Sequence, residues 1–410
     1  MSVSDLLETP SGEKTTEANG SLDKPGRLPL VEPPPYQVTV IRSLAEFAPL
    51  RQPWDAFMKA SGLQNLCLSH GWLQTWLSHF PPDELLIILV RDARGEWVGV
   101  APLQIKRSRN GLTHRLLRAV EWIGTNPSVF DWMQFMIHPH ANPAEVISAM
   151  AGVIRQAQWD LLELKFCLNH EQLELLADAL PGADREEILQ TNSIPYLALP
   201  ATVADYEPTR RKKTRLEVNR HKNRFAKEFG TPPHLDFLPA GEPSNAILTR
   251  FFAGHIKYWA ERGQKSDFQR FPKLFQFYKD MLSYAQTECQ PEDPQLLLSV
   301  LSVADHQLSY HLGFWQGNAY LSHITHYNQG FKGYSPGTIH MDELVFDTLK
   351  RANGRAGIEF EFGRGDEPYK KMWTQTKKPL WQLRSFRNPV SAALWQIDVI
   401  LKTLLKKGSE

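Results

Sequence analysis

Residues 319–337 read AYLSHITHYNQGFKGYSPG, and residues 358–373 read IEFEFGRGDEPYKKMW. The first stretch begins as a strand and ends in a loop rich in glycine and proline. The apolar spacing that follows predicts a helix from about Thr338 to Ala352. The second stretch predicts a buried strand followed by a cluster of charged residues. The order strand, loop, helix, strand therefore decides the fold of the second half of the chain.

The first half repeats this order of elements. Three strand-like runs, ELLIILVRD, EWVGVAPLQIKR and RLLRAVEWIG…FDWMQFMI, precede a helix that Asn142 caps, and WDLLELKFC reads as a buried strand. We predict an α/β (α+β) protein of two similar domains, residues 36–200 and 201–388. Residues 1–35 predict a disordered tail, and residues 389–410 a terminal amphipathic helix that Asn388 caps.

Composition excludes several classes of protein. The 410 residues carry 46 Lys and Arg against 45 Asp and Glu, and the near-neutral balance argues against bulk attraction to nucleic acid. Three scattered cysteines exclude a disulfide scaffold and a paired-cysteine zinc site, and they fit a reducing compartment. No stretch approaches the roughly 20 apolar residues that span a bilayer. With no signal-peptide pattern at the start, we expect a cytoplasmic protein.

The loop from Tyr334 to Thr338 is a candidate anion site. Its backbone N–H groups, with those of the first helical turn, suit a pyrophosphate. A plain strand-to-helix turn capped by Ser335 or Thr338 fits the same residues.

Polar residues at the ends of the later strands are candidate catalytic groups. Arg364, Asp366, Tyr369 and Lys370 crowd the end of a buried strand, where ligands collect in helix-covered sheets. An ion pair between Arg364 and Asp366 at a capped helix start is the alternative.

A histidine or glutamate on these strands is a candidate general base. Strand alternation places Glu361 on the face opposite Phe360, and places His323 with Thr325 and Tyr327. Each could instead be a structural residue. The same alternation turns His323 and His326 to opposite faces, so we expect no metal site there.

Two amphipathic helices carry basic residues. Residues 209–230 hold nine Lys and Arg against two Glu, among them Arg215 and Arg220, which we take as candidate anion-binding residues. A solvated helix face is the alternative. The terminal helix either packs on the protein or, through Lys402, Lys406 and Lys407, lies on a membrane surface.

The sequence resembles the CelD/BioF2-like acetyltransferase family of the GNAT superfamily, whose members are often linked to bacterial cellulose or other exopolysaccharide production. The matching motifs include SHGWLQTWLSHF, GVAPLQI, TRLEVNRHKNRF, HYNQGFKGYSPG and FEFGRGDEPYKKMW. The resemblance implies two GNAT-like domains, each a mixed, splayed β-sheet covered by helices. It also implies kinship with FemAB-type transferases.

The resemblance further implies acetyl-CoA or another acyl-CoA as donor and no metal. The donor pyrophosphate would meet Tyr334, Ser335, Pro336, Gly337 and Thr338, and Tyr369 would protonate the leaving thiolate. The first half has HPHANPAEV at the corresponding place, with no glycine, so we predict that only the second domain binds the donor.

The hypothesis is acyl transfer to an amine or hydroxyl. The acceptor is a small molecule or a glycan precursor, a carboxylate (Glu361 or Asp366) or His323 is the base, and Arg364 and Lys370 bind substrate. The Q/R-x-x-G-x-G/A signature of many superfamily members is absent as written. One alternative is therefore a transferase that uses aminoacyl-tRNA. The other is a non-catalytic partner of a polysaccharide-synthesis complex.

Overall fold

The computed structural model describes residues 36–107, 117–125, 132–180, 184–290 and 293–407. The predicted tail, residues 1–35, lies outside them. The strands are β1 Tyr36–Ile41, β2 Glu84–Asp92, β3 Trp97–Arg107, β4 Arg118–Trp122, β5 Met136–Ile137, β6 Leu161–Cys167, β7 Asp184–Leu199, β8 His234–Leu238, β9 Gln295–Val303, β10 His306–Gln316, β11 Ala319–Tyr327, β12 Ile358–Glu361 and β13 Lys377–Phe386.

The helices follow the apolar periodicity closely. They are α1 Leu44–Phe47, α2 Arg51–Ala60, α3 His70–His79, α4 Pro143–Gln156, α5 His170–Ala179, α6 Val203–Tyr206, α7 Lys212–Phe229, α8 Glu242–Ala260, α9 Asp267–Arg270, α10 Lys273–Thr287, α11 Pro336–Ala352 and α12 Pro389–Lys407. The predicted caps of α4 and α12 are confirmed, because Asn142 accepts from the Ala144 N–H at 3.1 Å and Asn388 from the Ser391 N–H at 2.9 Å.

The strands form one mixed sheet in the order β1-β2-β3-β4-β6-β13-β7-β12-β11-β10-β9-β8, with β5 beside β3. The predicted α/β class is confirmed. Most neighbours are antiparallel, but β4 runs parallel to β6 and β11 runs parallel to β12. Each half therefore has one parallel pair joined through a helix, α4 in the first half and α11 in the second.

The long strand β7 and the late strand β13 join the two halves of the sheet. β7 pairs with β13 from Asp184 to Pro195, and then with β12 from Tyr196 to Leu199. β13 pairs on its other edge with β6, so a strand from the end of the chain lies within the sheet of the first half. Strands from before and after residue 200 thus belong to one sheet. The division into two domains at residue 200 stays a prediction.

The apolar cores lie on both faces of this sheet. The largest cluster packs α3, α8 and α10 against it, with Trp72, Trp76 and Phe277 fully buried. On the opposite face of the second half, α11 covers Ile358, Phe360 and Phe362. None of the helices in the described part of the chain combines the length and apolar character that crossing a bilayer requires.

Candidate active site

The parallel strands β11 and β12 part after a short common stretch. They pair from Ala319 beside Glu359 to Leu321 beside Glu361, after which β12 ends while β11 continues to Tyr327. Where they part, the register of β11 against β10 shifts, because Leu312 pairs with Ile324 and Gly313 with Ser322. His323 is the extra residue of this β-bulge, and a bulge bends its strand.

Gly363 lets the chain leave β12 close to β11. Its φ of +71° is costly for other residues, and a Cβ there would lie 2.5 Å from the Ser322 carbonyl oxygen. The glycine therefore brings the departing chain into contact with β11 beside the bulge.

The bulge overturns one prediction about side-chain faces. His323 does not share a face with Thr325 and Tyr327. Its Nε2 lies 2.8 Å from the Tyr278 hydroxyl on α10, and His326 packs against Gly254 on α8, so both histidines face these helices. The two side chains do not point to opposite faces as predicted, because simple alternation fails at a bulge. No group of three or more metal-ligating side chains occurs in the described ranges.

The turn from β11 into α11 is built on Ser335. This residue has a left-handed backbone, φ 49°, and Pro336 opens the helix two residues before the predicted start. The N–H groups of Thr338 and Ile339 donate to the Ser335 carbonyl at 3.0 and 3.3 Å. An anion at this turn would therefore depend on the N–H of Gly337. A Cβ at Gly337 would meet its nearest neighbour at 3.7 Å, an ordinary contact, so this surface is not crowded.

The basic helix α7 lies beside this turn. The Arg224 guanidinium donates to the Gly333 carbonyl at 3.1 Å and lies 3.9 Å from the centre of the Tyr334 ring. The buried carboxylate of Asp342 on α11 pairs with Arg210 and Lys222 and anchors the helix. Arg224, which the sequence analysis did not select, is thus the arginine at the turn.

The two predicted anion-binding arginines of α7 lie elsewhere on the helix. Arg215 is half-buried, and Arg220 is exposed, with its Nη2 3.5 Å from His221 Nε2. The helical spacing gave the buried face of α7 correctly, and Arg224 adjoins that face at Phe225.

Two glutamates lie on the face of β12 away from α11, as the alternation predicted. Glu361 is 3 % exposed and pairs with Lys378 of β13 at 2.7 Å, and Lys378 also pairs with Glu359. The second carboxylate oxygen of Glu361 is buried, and the Trp132 indole approaches the carboxylate. Burial raises the pKa of Glu361 above its usual value, and Lys378 opposes this rise.

These glutamates line a groove of about 480 Å³ between the two halves of the chain. Its other polar lining residues are Lys59, Gln64, Asn65, Gln134, Gln316, Asn318 and Lys378. Across it, the Leu66 N–H donates to Gln316 at 3.0 Å. The first half of the chain therefore completes a site whose carboxylates come from the second.

Trp132 in this groove has a strained backbone. Its φ is 61°, a left-handed conformation that costs a bulky residue on the order of 1–3 kcal/mol. Asn65 donates to its carbonyl at 2.7 Å, and its indole lies beside the Glu361 carboxylate, whose pKa it helps to lower. A strained backbone at a bulky residue that contacts a buried carboxylate is a feature of functional sites rather than of plain cores.

The remaining candidate site residues follow β12 in the sequence, and their side chains do not form one cluster. Asp366 is exposed and pairs with Lys377 at 2.6 Å, which lowers its pKa. Because Lys377 and Lys378 are consecutive on a strand, Asp366 and Glu361 lie on opposite faces of β13. Arg364 lies over Phe166, 3.8 Å from the ring centre.

Lys370 and Tyr369 lie on the short 3₁₀ turn Pro368–Met372. The buried Lys370 ammonium donates to the carbonyls of Gly363, Arg364 and Gly365 at 3.0, 2.8 and 3.3 Å, so it fixes the loop after β12. Tyr369 is 38 % exposed, and desolvation and Glu367 raise the pKa of its hydroxyl.

A buried histidine pair lies under the bulge, and sequence reasoning missed it. His311 Nε2 lies 2.9 Å from the Ser322 hydroxyl and its Nδ1 lies 3.1 Å from the Tyr320 hydroxyl. His340 of α11 bonds Ser299 at 2.9 Å and also bonds Ser309. Burial lowers the pKa of His340 to about 3. Both rings are neutral at pH 7 and hold the strands around Ser322. Alternation in LSYHLGF, which puts Ser309 and His311 on one face, was the available signal.

Comparisons with known proteins agree with this geometry. Residues 212–371 match the model of the acetyltransferase (GNAT) domain. No curated protein matches the chain at a significant level.

Three solved structures illustrate the structural similarity. FemX aligns over 84 % of this chain and 98 % of its own at 13 % identity, with a TM-score of 0.54. The C-terminal domain of a putative lysylphosphatidylglycerol synthetase from Agrobacterium fabrum aligns over 88 % and 97 % at 11 % identity, with a TM-score of 0.50. A tandem GNAT protein of the clavulanic acid pathway covers 86 % and 99 % at 11 % identity, with a TM-score of 0.46. At such identities the similarity is one of fold.

Proposed function

We propose that this protein, an acyltransferase whose residues 212–371 form a GNAT domain, moves an acyl group from acyl-CoA to an amine or hydroxyl of a small acceptor. The parting of β11 and β12 beside the turn into α11 carries the proposal. It leaves β11 without β12 as a neighbour beside a helix N-terminus, which suits the diphosphate of the thioester donor that the family resemblance implies.

The donor side of the site uses the residues of the turn. The N–H of Gly337 would hold the pyrophosphate at the turn that Tyr334, Ser335, Pro336 and Thr338 shape, and Arg224 adds positive charge beside Gly333. Backbone N–H groups of β11 past Leu321 are candidates to stabilise the oxyanion that forms at the acyl carbon.

The acceptor side uses the groove of Glu359, Glu361 and Lys378. Carboxylate and amide side chains suit hydroxyl and amine groups, which supports a glycan-precursor acceptor. Glu361 is the better base of the two strand candidates. Its pKa is raised, whereas burial lowers the pKa of His323 to about 3, too low for an efficient base near neutral pH.

The reaction is a direct displacement. The acceptor nitrogen or oxygen bonds to the acyl carbon while Glu361 takes its proton, and the bond to sulfur then breaks. Tyr369 gives the leaving sulfur its proton. Lys370 keeps the loop that carries Tyr369 in place by binding three of its carbonyls.

Replacing Glu361 tests this assignment. Glu361→Gln is expected to lower kcat by about 10²–10⁴-fold, because the base is lost while the shape is kept. Since the base acts deprotonated, wild-type kcat should rise with pH through a midpoint above 4.5, and the variant should lose this rise. CoA release with a panel of amines and amino sugars measures both.

Glu359→Gln is the matched control, because Glu359 contacts the same Lys378 but its side chain is more exposed to solvent than that of Glu361. We expect it to retain the pH rise and most of the activity. Equal losses in the two variants would contradict the role of Glu361.

The basic helix supports a second candidate donor, aminoacyl-tRNA. Lys212, Lys213, Arg220 and Lys227 are exposed on α7. Binding to aminoacyl-tRNA that falls steeply with salt, with no transfer from acyl-CoA, would favour this donor. A role in exopolysaccharide synthesis, with its machinery as partner, belongs to the first candidate and rests on the family resemblance.

A further inference from the structure

The outward face of α12 carries a stripe of exposed aliphatic side chains. Val390, Ile397, Ile400, Leu401 and Leu404 are between 37 and 68 % exposed. Their spacing of seven, three, one and three residues keeps them on one side of the helix. Six of the eleven exposed large apolar side chains of the described residues lie on α12, these five and Val399, so exposed apolar surface is concentrated on this helix.

The opposite side of α12 packs on the protein in the first part of the helix, while Val399 further along that side is 40 % exposed. Ala392 and Trp395 lie against Phe386 of β13, and the carboxylate-bearing residue Asp398 is 1 % exposed. The stripe is therefore not the side that attaches the helix to the sheet. Whatever covers it comes from outside the described chain.

The size and charge of the stripe favour a lipid surface over a second copy. Five partly exposed aliphatic residues offer on the order of a few hundred Å², whereas a stable dimer buries about 800 Å² on each partner. The sequence of α12 also holds Lys402, Lys406 and Lys407, while its one acidic residue is buried. An apolar stripe on a helix of net positive charge suits anionic headgroups.

We propose that α12 docks the protein on an anionic bilayer surface, with the stripe in the headgroup region and the helix parallel to the membrane. This inference does not rest on the proposed function. It names a surface that lies apart from the groove and from the turn into α11.

The test is flotation of the full chain with vesicles of phosphatidylglycerol and phosphatidylcholine in equal parts, and with phosphatidylcholine alone. The wild type should float with the anionic vesicles and release at high salt. The double variant Ile400→Glu/Leu404→Glu should bind at least about tenfold more weakly, because two exposed aliphatic residues become charged.

Leu216→Glu is the matched control, because Leu216 is an exposed leucine, at 56 %, on another long helix. It should bind like the wild type. Equal binding of wild type and double variant, or loss of binding in Leu216→Glu alone, would overturn the proposal. So would a wild-type dimer in light scattering that the double variant dissociates, because a second copy would then cover the stripe.

Discussion

In the proposed reaction, Tyr369 donates the last proton, to the leaving sulfur. A tyrosine hydroxyl is protonated at neutral pH even at its ordinary pKa of about 10, so the proton is available when the sulfur leaves, and the raised pKa makes Tyr369 a weaker acid. Tyr369→Phe is expected to lower kcat with acetyl-CoA by about 10²–10⁴-fold. With a thioester of an acidic aromatic thiol the loss should shrink, because that sulfur leaves without a proton.

CoA or thiol release measures both rates. Tyr36→Phe is the control, because Tyr36 donates to Glu145 in the first half of the chain. A loss of the same size with both donors would mean that Tyr369 only supports the loop.

The face of the sheet on which a side chain lies was predictable where the strand alternates regularly. Glu361 was predicted on the face opposite Phe360, and it lies there because β12 is regular. The faces assigned to Thr325 and Tyr327 relative to His323 were wrong, because one extra residue in β11 shifts the pattern and leaves no mark in composition. Trp132 was missed because its strain depends on contacts with Asn65, 67 positions earlier in the chain.

At the scale of elements, the end of β12 must fit closely against β11. Gly363 and Gly357 have the same φ of +71°, but a Cβ at Gly363 would lie 2.5 Å from the Ser322 carbonyl oxygen and one at Gly357 would meet nothing within 4 Å. Gly357→Ala should lower the free energy of unfolding by about 1 kcal/mol, the cost of the backbone alone. Gly363→Ala should lower the free energy of unfolding by roughly 1–3 kcal/mol more than Gly357→Ala does, because its Cβ would clash with the backbone of β11.

Chemical denaturation of the two variants measures the difference. Equal losses of unfolding free energy in the two variants would show that the residues after β12 are not in tight contact with β11 at the bulge. A larger loss in Gly357→Ala would show that the groove, rather than the parting of the strands, is the constrained region.

Most elements were predictable because each has its own apolar period. The helices α7, α11 and α12 begin and end within a few residues of the predicted limits. β7 and β13 were not predicted, since DREEILQTNSIPYLAL and KKPLWQLRSF mix polar residues and proline without a clean alternation. They become strands only because they pair with each other and with β6 and β12.

At the scale of the whole molecule, the sheet joins two halves that resemble each other in element order but not in their turns. The first half passes from β5 to α4 through His138, Pro139 and His140, without a glycine. The second half has Gly337 at its turn and parted strands beside it. We therefore expect one donor site per chain, in the second half.

Calorimetric titration with acetyl-CoA of the wild type, Gly337→Glu and Gly152→Glu tests this most directly. Both glycines are helical and neither Cβ would clash, since the nearest atoms lie at 3.7 and 4.0 Å. A glutamate in the first turn of α11 leaves the helix stable but repels a diphosphate. The account predicts one bound donor per wild-type chain, the same for Gly152→Glu, and no detectable binding to Gly337→Glu. Unchanged binding to Gly337→Glu, or two donors per chain, would contradict it.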